Sequence, residues 1–197
     1  VNATAEFKDH YNFIRSLKSG GSRQEIYNSA AVLQALKNDP RVLGYAPKIF
    51  APVFFNDGSI SIAGVINGIE VEAESNYFHF NDYIIEGAAA DLKKVSNSII
   101  LGKGLAANLL ADVGDIVQVT TSQGEQFPLK VAGIFQTGIQ DFDKTQSYAS
   151  IVSVQKFLGK AGTYITDIQI KLKDVKTSPA VALVYADLFH LDALDIQ

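Results

Sequence analysis

The chain has 197 residues, 17 Lys plus Arg against 21 Asp plus Glu, a formal net charge of −4 and 47% hydrophobic side chains. That balance, at a mean hydropathy of +0.11, is too apolar for a disordered tail and too acidic for a protein that neutralises phosphates, so no nucleic-acid partner is expected. With no Cys, disulfides, thiolate metal sites and thiol nucleophiles are excluded by counting.

In chain order, Val1 to Ala5 reads as a cut end, and Phe7 to Leu17 as a first strand followed by a break at Ser19-Gly20-Gly21. Ser22 and Glu25 form a capping box, in which each side chain satisfies a backbone donor left over by the first helical turn. The helix it opens carries Ile26, Ala30, Leu33 and Leu36 at helical spacing and stops at Asn38-Asp39-Pro40, where the proline ring cannot continue the ladder.

Val42 to Phe55 reads as extended chain broken by Pro47 and Pro52, and Asn56-Asp57-Gly58 as a turn into a strand of Ile60, Ile62 and Ile66. At strand period Glu70, Glu72 and Glu74 share one solvated face ahead of the aromatic cluster Tyr77, Phe78, Phe80 and Tyr83. Ile99 to Leu101 predicts a buried strand, and Leu105 to Ala111 a brief helix ending at Asp112-Val113-Gly114-Asp115. Strands follow over Ile116 to Thr121 and Phe127 to Phe135 around the polar loop Ser122 to Gln126.

Thr137 to Gln146 reads as loop and Tyr148 to Val152 as strand, with Ser153 capping a helix through Leu158 that ends in Gly159 and Gly162. Ile168, Ile170 and Leu172 alternate with polar residues as a half-buried strand. Ser178-Pro179 then starts a helix with Val181, Val184, Tyr185, Leu188 and Phe189 on one stripe. A strand over Ala193 to Gln197 would close a terminal β-α-β unit mirroring one near the start.

No motif reaches the grade of an enzyme, and no cofactor or metal is expected. His10, His79 and His190 are far apart in sequence and lack metal-ligand spacing. Gly102-Lys103-Gly104-Leu105-Ala106-Ala107 matches a dinucleotide fingerprint in form, but its helix is about two turns long and the next strand ends without the ribose-binding acid. The glycines read instead as a tight strand-to-helix turn. Asp141 and Asp143 read as loop-capping carboxylates. From the residues alone this is a mixed α/β domain acting as a binding or mechanical module. A nucleotide-binding α/β enzyme using the Gly102 to Ala107 turn, or a secreted binding module using Tyr77 to Tyr83, stays open at this point.

The string Asn97 to Ala106, then Val113-Gly114-Asp115-Ile116-Val117, then Val131-Ala132-Gly133-Ile134-Phe135-Gln136-Thr137-Gly138, then Asp141-Phe142-Asp143 resembles the extracytoplasmic core domain of MacB-like ABC-transporter permeases. The likeness is strongest to the lipoprotein-releasing LolC/LolE and FtsX-like branch. Pro47, Gly68-Ile69 and Ile85-Glu86-Gly87 agree in order.

The resemblance implies an α/β fold of two subdomains: a porter-like half of paired β-α-β units from both chain ends (1–66 and 163–197) and an inserted sabre-like half (67–162). It makes Gly102, Gly104, Gly114, Asp115, Gly133, Gly138 and Asp143 a structural motif. It implies a periplasmic location on a bacterial inner membrane and no enzymatic activity of the domain itself. ATP would be hydrolysed by a separate subunit or domain, a second permease copy or paralogue would complete a dimer, and a lipoprotein or periplasmic protein would be the partner.

The lipoprotein-releasing branch docks a chaperone with a longer hairpin loop, whose counterpart here is Ser122 to Phe127. Gln123, Gly124, Glu125 and Gln126 are thus the candidate partner-contact loop. In this frame the missing Met fits a segment lying between membrane helices, one before residue 1 and three after residue 197.

Overall fold

A computed structural model describes residues 25–57 and 60–189. The expected Val1 to Ala5 end, the Phe7 to Leu17 strand, Ser22, Gly58, His10, His190 and the Ala193 to Gln197 strand lie outside the described residues.

The first described helix, α1, runs Ser29–Asn38, so Ile26, expected within it, precedes it. The start of the helix is held by the chain's far end: Ile26 N–H donates to Ile165 O at 2.9 Å, and Ser29 Oγ, at the first residue of α1, to Thr163 O at 2.6 Å. Val32 and Leu36 form its buried face, and Asp39-Pro40 ends it.

β1 (Val42–Asp57) is one continuous 16-residue strand, so Pro47 and Pro52 do not break it. Phe50 N–H faces Thr166 Oγ1 (2.8 Å), and Pro52, two residues on, faces the same side. There it meets a gap between the last pair with β8 (Asp167–Leu172), at Lys48, and the first pair with β5 (Ile116–Thr121), at Val53. Pro47 faces the other side, one residue before pairing with β2 (Ile60–Ile69) begins at Lys48. Neither ring therefore costs a ladder hydrogen bond.

After β2 come α2 (Val71–Phe78), a 3₁₀ turn at Phe80–Tyr83, β3 (Ile84–Gly87) and α3 (Asp91–Lys94). β4 (Ser98–Gly102) leads into α4 (Lys103–Leu109), and β5 into β6 (Gln126–Phe135). α5 (Gln140–Asp143), β7 (Gln146–Ser150), α6 (Ile151–Phe157), β8 and α7 (Ser178–Phe189) complete the chain.

The fold is mixed α/β, and its sheet closes on itself. β1 pairs with β2, β2 with β7, β7 with β4, β4 with β6, β6 with β5, and β5 returns to β1. Ile49, Val53, Phe55, Ile99, Leu101 and Val131 fill the interior, and α4 and α6 contribute Leu105 and Val154 to it. Each such fully hidden aliphatic side chain stabilises by about 2 kcal/mol. β4 is buried along its whole length because Ile100 faces outward into a second cluster with Phe80, Leu92 and Phe135. A third cluster joins Val32 and Leu36 of α1 to Val181 and Tyr185 of α7, over Tyr45, Ile168 and Ile170.

Four further expectations need correction. Glu70, Glu72 and Glu74 do not share a strand face: Glu70 caps α2 by accepting from Ala73 N–H (2.7 Å), Glu72 is exposed and Glu74 is buried. Ser150, not Ser153, caps α6, accepting from Ser153 N–H at 3.2 Å. Thr137 to Gln146 contains the helical turn α5 and the first residue of β7. On α7 only part of the expected stripe is covered: Val181 and Tyr185 are buried, while Val184 and Leu188 face outward because α1 lies against the Val181 side. Among the described residues no helix is long and apolar enough to cross a membrane.

Candidate functional site

The Gly102 to Ala107 turn is filled by the chain itself. β4 ends at Gly102, and a Cβ there would stand 2.3 Å from Asp143 O; one at Gly104 would stand 2.6 Å from Lys144 Cγ. Both glycines are thus required by the close approach of the 143–144 segment to the strand-to-helix turn.

Asp143 is buried and ties this junction together. Its Oδ1 accepts from Thr137 N–H (2.9 Å) and Thr137 Oγ1 (2.8 Å), and its Oδ2 from Gly138 N–H (3.1 Å). Gly138 supplies a positive φ of 86° for the loop. Gly102, Gly104, Gly138 and Asp143 therefore meet at one end of the sheet. Gly133, in β6, packs against the backbone of β3, with Glu86 O 2.7 Å from where its Cβ would be. Gly114 and Asp115 lie apart, in the α4 to β5 turn: Gly114 N–H donates to Val131 O (2.8 Å), and Asp115 Oδ2 accepts from Asp112 N–H (2.8 Å).

Gln123, Gly124, Glu125 and Gln126 form the exposed tip of the β5–β6 hairpin. Thr121 closes the tip, its N–H donating to Glu125 O and its carbonyl accepting from Gly124 N–H, both at 2.9 Å. Gly124 has a φ of 85° and open space around it. The ten residues of β6 hold this tip about 30 Å from the Gly102 junction.

The aromatics over Tyr77 to Tyr83 are dispersed. Phe80 is buried against Tyr148 (4.6 Å between centroids), Tyr77 covers Gly44, and Tyr83 is exposed. Among the described residues no three His, Asp or Glu side chains gather where they could hold a metal. His79 sits exposed at the end of α2 with a φ of 56°.

Sequence reasoning missed two charged groupings. Arg41 grips Asp39 with two nitrogens (2.7 to 3.2 Å), and Tyr185 OH donates to the same carboxylate at 3.0 Å. The Arg41 hydrogen bond holds the Asp39 carboxyl well below the usual range, and burial, then the Asp39 hydrogen bond, push the Tyr185 phenol up to about 12. The Asp39-x-Arg41 spacing was the available signal. The second grouping, Lys48 with Glu74 (2.9 Å), has no local signal.

Residues 2–183 match the family described as MacB-like periplasmic core domain. The chain belongs to that family. It is 30% identical over 146 residues to the lipoprotein-releasing system transmembrane protein LolC of Xylella fastidiosa, covering 70% of this chain and 35% of that protein. Against LolC of Neisseria meningitidis the identity is 28% over 161 residues, covering 75% and 39%. Against LolE of Haemophilus influenzae it is 26% over 148 residues, covering 71% and 35%. The chain thus spans a little over a third of the length of these curated relatives.

Among solved structures, the extracellular domain of the noncanonic ABC-type transporter YknZ from Gram-positive bacteria superposes with a TM-score of 0.57 at 14% identity, covering 82% of this chain and 83% of that one. The periplasmic region of MacB from Actinobacillus actinomycetemcomitans gives 0.55 at 16%, covering 81% and 71%. At these identities the superpositions establish a shared fold.

Proposed function

We propose that this MacB-like domain is the periplasmic part of an inner-membrane ABC-transporter permease that couples cytoplasmic ATP hydrolysis to release of a lipoprotein or another amphiphile. The observation that carries the reading is the family match over residues 2–183, in a chain that shares its fold with periplasmic and extracellular transporter domains. The names of the LolC and LolE relatives support lipoprotein release as the activity. ATP hydrolysis is assigned to a separate ATPase subunit or domain, a second permease copy or paralogue completes the assembly, and the domain works by changing shape.

The exposed β5–β6 tip, Gln123 to Gln126, is assigned to partner contact. Its support is its position: a tightly closed turn at the far end of a rigid strand pair, clear of the internal junctions. A porter-like unit from both chain ends and a sabre-like unit between them are likewise proposed, supported by the separate apolar cluster that α1, α7 and β8 enclose.

The test is reconstitution of the full permease and its ATPase in proteoliposomes carrying a lipoprotein. ATP-dependent release is expected, and it should be lost when residues 25–189 are replaced by a flexible linker. Unchanged release after that replacement overturns the reading.

A further inference from the structure

β1 serves two cores. Up to Lys48 it pairs with β8 and backs the cluster of α1 and α7; from Ile49 onward it lines the barrel. A long strand twists and bends readily. A fixed angle between the terminal layer (α1, β8, α7) and the barrel therefore needs side chains that bridge the changeover.

The C-terminal turn of α2 supplies them. Tyr77 lies over Gly44 so closely that a Cβ there would come within 2.3 to 2.5 Å of three ring carbons. Lys171 Nζ on β8 donates to Tyr77 O at 2.8 Å, placing a cation on one of the last carbonyls of the helix, where the dipole favours it. Lys48 Nζ on β1 stands 2.9 Å from Glu74 Oε1 and 5.9 Å from the centre of the Phe78 ring.

Glu74 is 4% exposed, and its Oε1 faces the Lys48 ammonium as an ion pair. Burial raises the Glu74 carboxyl above its ordinary range despite Lys48. Such a pair contributes little net stability, but losing one partner leaves an uncompensated buried charge, so separating the two is costly. The other end of α2 is anchored in the outer cluster of the barrel through Val71. One short helix therefore touches the barrel, the changeover in β1, and β8.

We infer that the C-terminal turn of α2 is a clasp that makes the terminal layer and the barrel move as one body, so that displacement of either is passed to the other. This rests on the proposed mechanical role of the domain and names the residues that carry it. The contacts at Gly44, Lys48 and Lys171 lie on the terminal-layer side of the changeover in β1, while Val71, at the other end of the same helix, packs in the outer cluster of the barrel.

The chain has no Cys, so two introduced cysteines, Lys37→Cys on α1 and Lys130→Cys on β6, both exposed, can carry spin labels without interference. Pulsed dipolar spectroscopy on this chain should give one narrow distance distribution. Tyr77→Ala combined with Lys171→Met opens the clasp at the surface and should broaden the distribution about twofold, with the melting transition still cooperative. Val119→Ala, which weakens the barrel interior away from α2, should leave the width unchanged.

A distribution that keeps its width and mean in the double variant overturns the clasp, as does equal broadening in Val119→Ala. The measurement uses no membrane, ATPase or lipoprotein. Failure of the transport reading would show in the proteoliposome assay instead, with the distance distributions unaffected.

Discussion

The carbonyl oxygen of Asp143 lies where a side chain on Gly102 would begin, 2.3 Å from the position of a Cβ. Two motifs some forty residues apart in the chain are thereby joined at the end of β4. The same contact converts a nucleotide-like glycine turn into an internal packing junction.

Gly102→Ala should destabilise by about 2 kcal/mol, because the obstacle is backbone and cannot turn aside. Gly124→Ala meets no atom and carries only the penalty of a positive φ, about 1 kcal/mol. Urea midpoints for the two variants should keep that order.

Asp143→Asn should cost about 2 kcal/mol. Both carboxylate oxygens accept hydrogen bonds, so an amide must point its NH₂ at another donor. Faster hydrogen exchange at Gly138, alongside a lower melting temperature, would place the damage in this loop.

The pH response of Asp39 has a definite sign. Its carboxyl is lowered in the folded state, chiefly by the Arg41 hydrogen bond, so the stability it contributes is present above the unfolded value near about 4 and is lost as pH falls below it. Asp39→Asn should cost about 1 kcal/mol at pH 7, the modest figure reflecting an exposed Arg41. That difference should shrink in acid. Tyr185, raised to about 12, contributes stability that is lost as pH rises from about 10 towards that value. Chemical denaturation of both chains across pH checks the pair.

Replacing Gln123, Glu125 and Gln126 by Ser while keeping Gly124 should change stability by less than about 0.5 kcal/mol, since all three are exposed at the hairpin tip. Lipoprotein release in proteoliposomes supplied with the periplasmic partner should nonetheless fall. Full release with a folded variant would remove the tip from the proposed contact.

Much of the fold was legible because its signals are local. Buried Ile99 to Leu101, the alternation over Ile168 to Leu172 and the Asp39-Pro40 stop each act within a few residues, and each matches an observed element or boundary. The misreadings came where distant chain intervened. Glu70, Glu72 and Glu74 alternate like a strand, yet Glu70 is an N-cap and Glu74 turns inward to Lys48. The helix expected to include Ile26 begins only at Ser29, because Ile26 N–H is captured by Ile165 O from the other end of the chain.

Composition and short-range pattern were enough to determine a folded α/β chain without thiol chemistry, and the motif string around Gly102, Gly133 and Asp143 was enough to suggest its family. Only the tertiary structure decided that the sheet closes into a barrel, that Asp143 fills the glycine turn, and that Tyr77 lies on Gly44. Periodicity records which face of an element is apolar, whereas strand closure and close backbone approach depend on partners many residues away, whose identity no local spacing encodes.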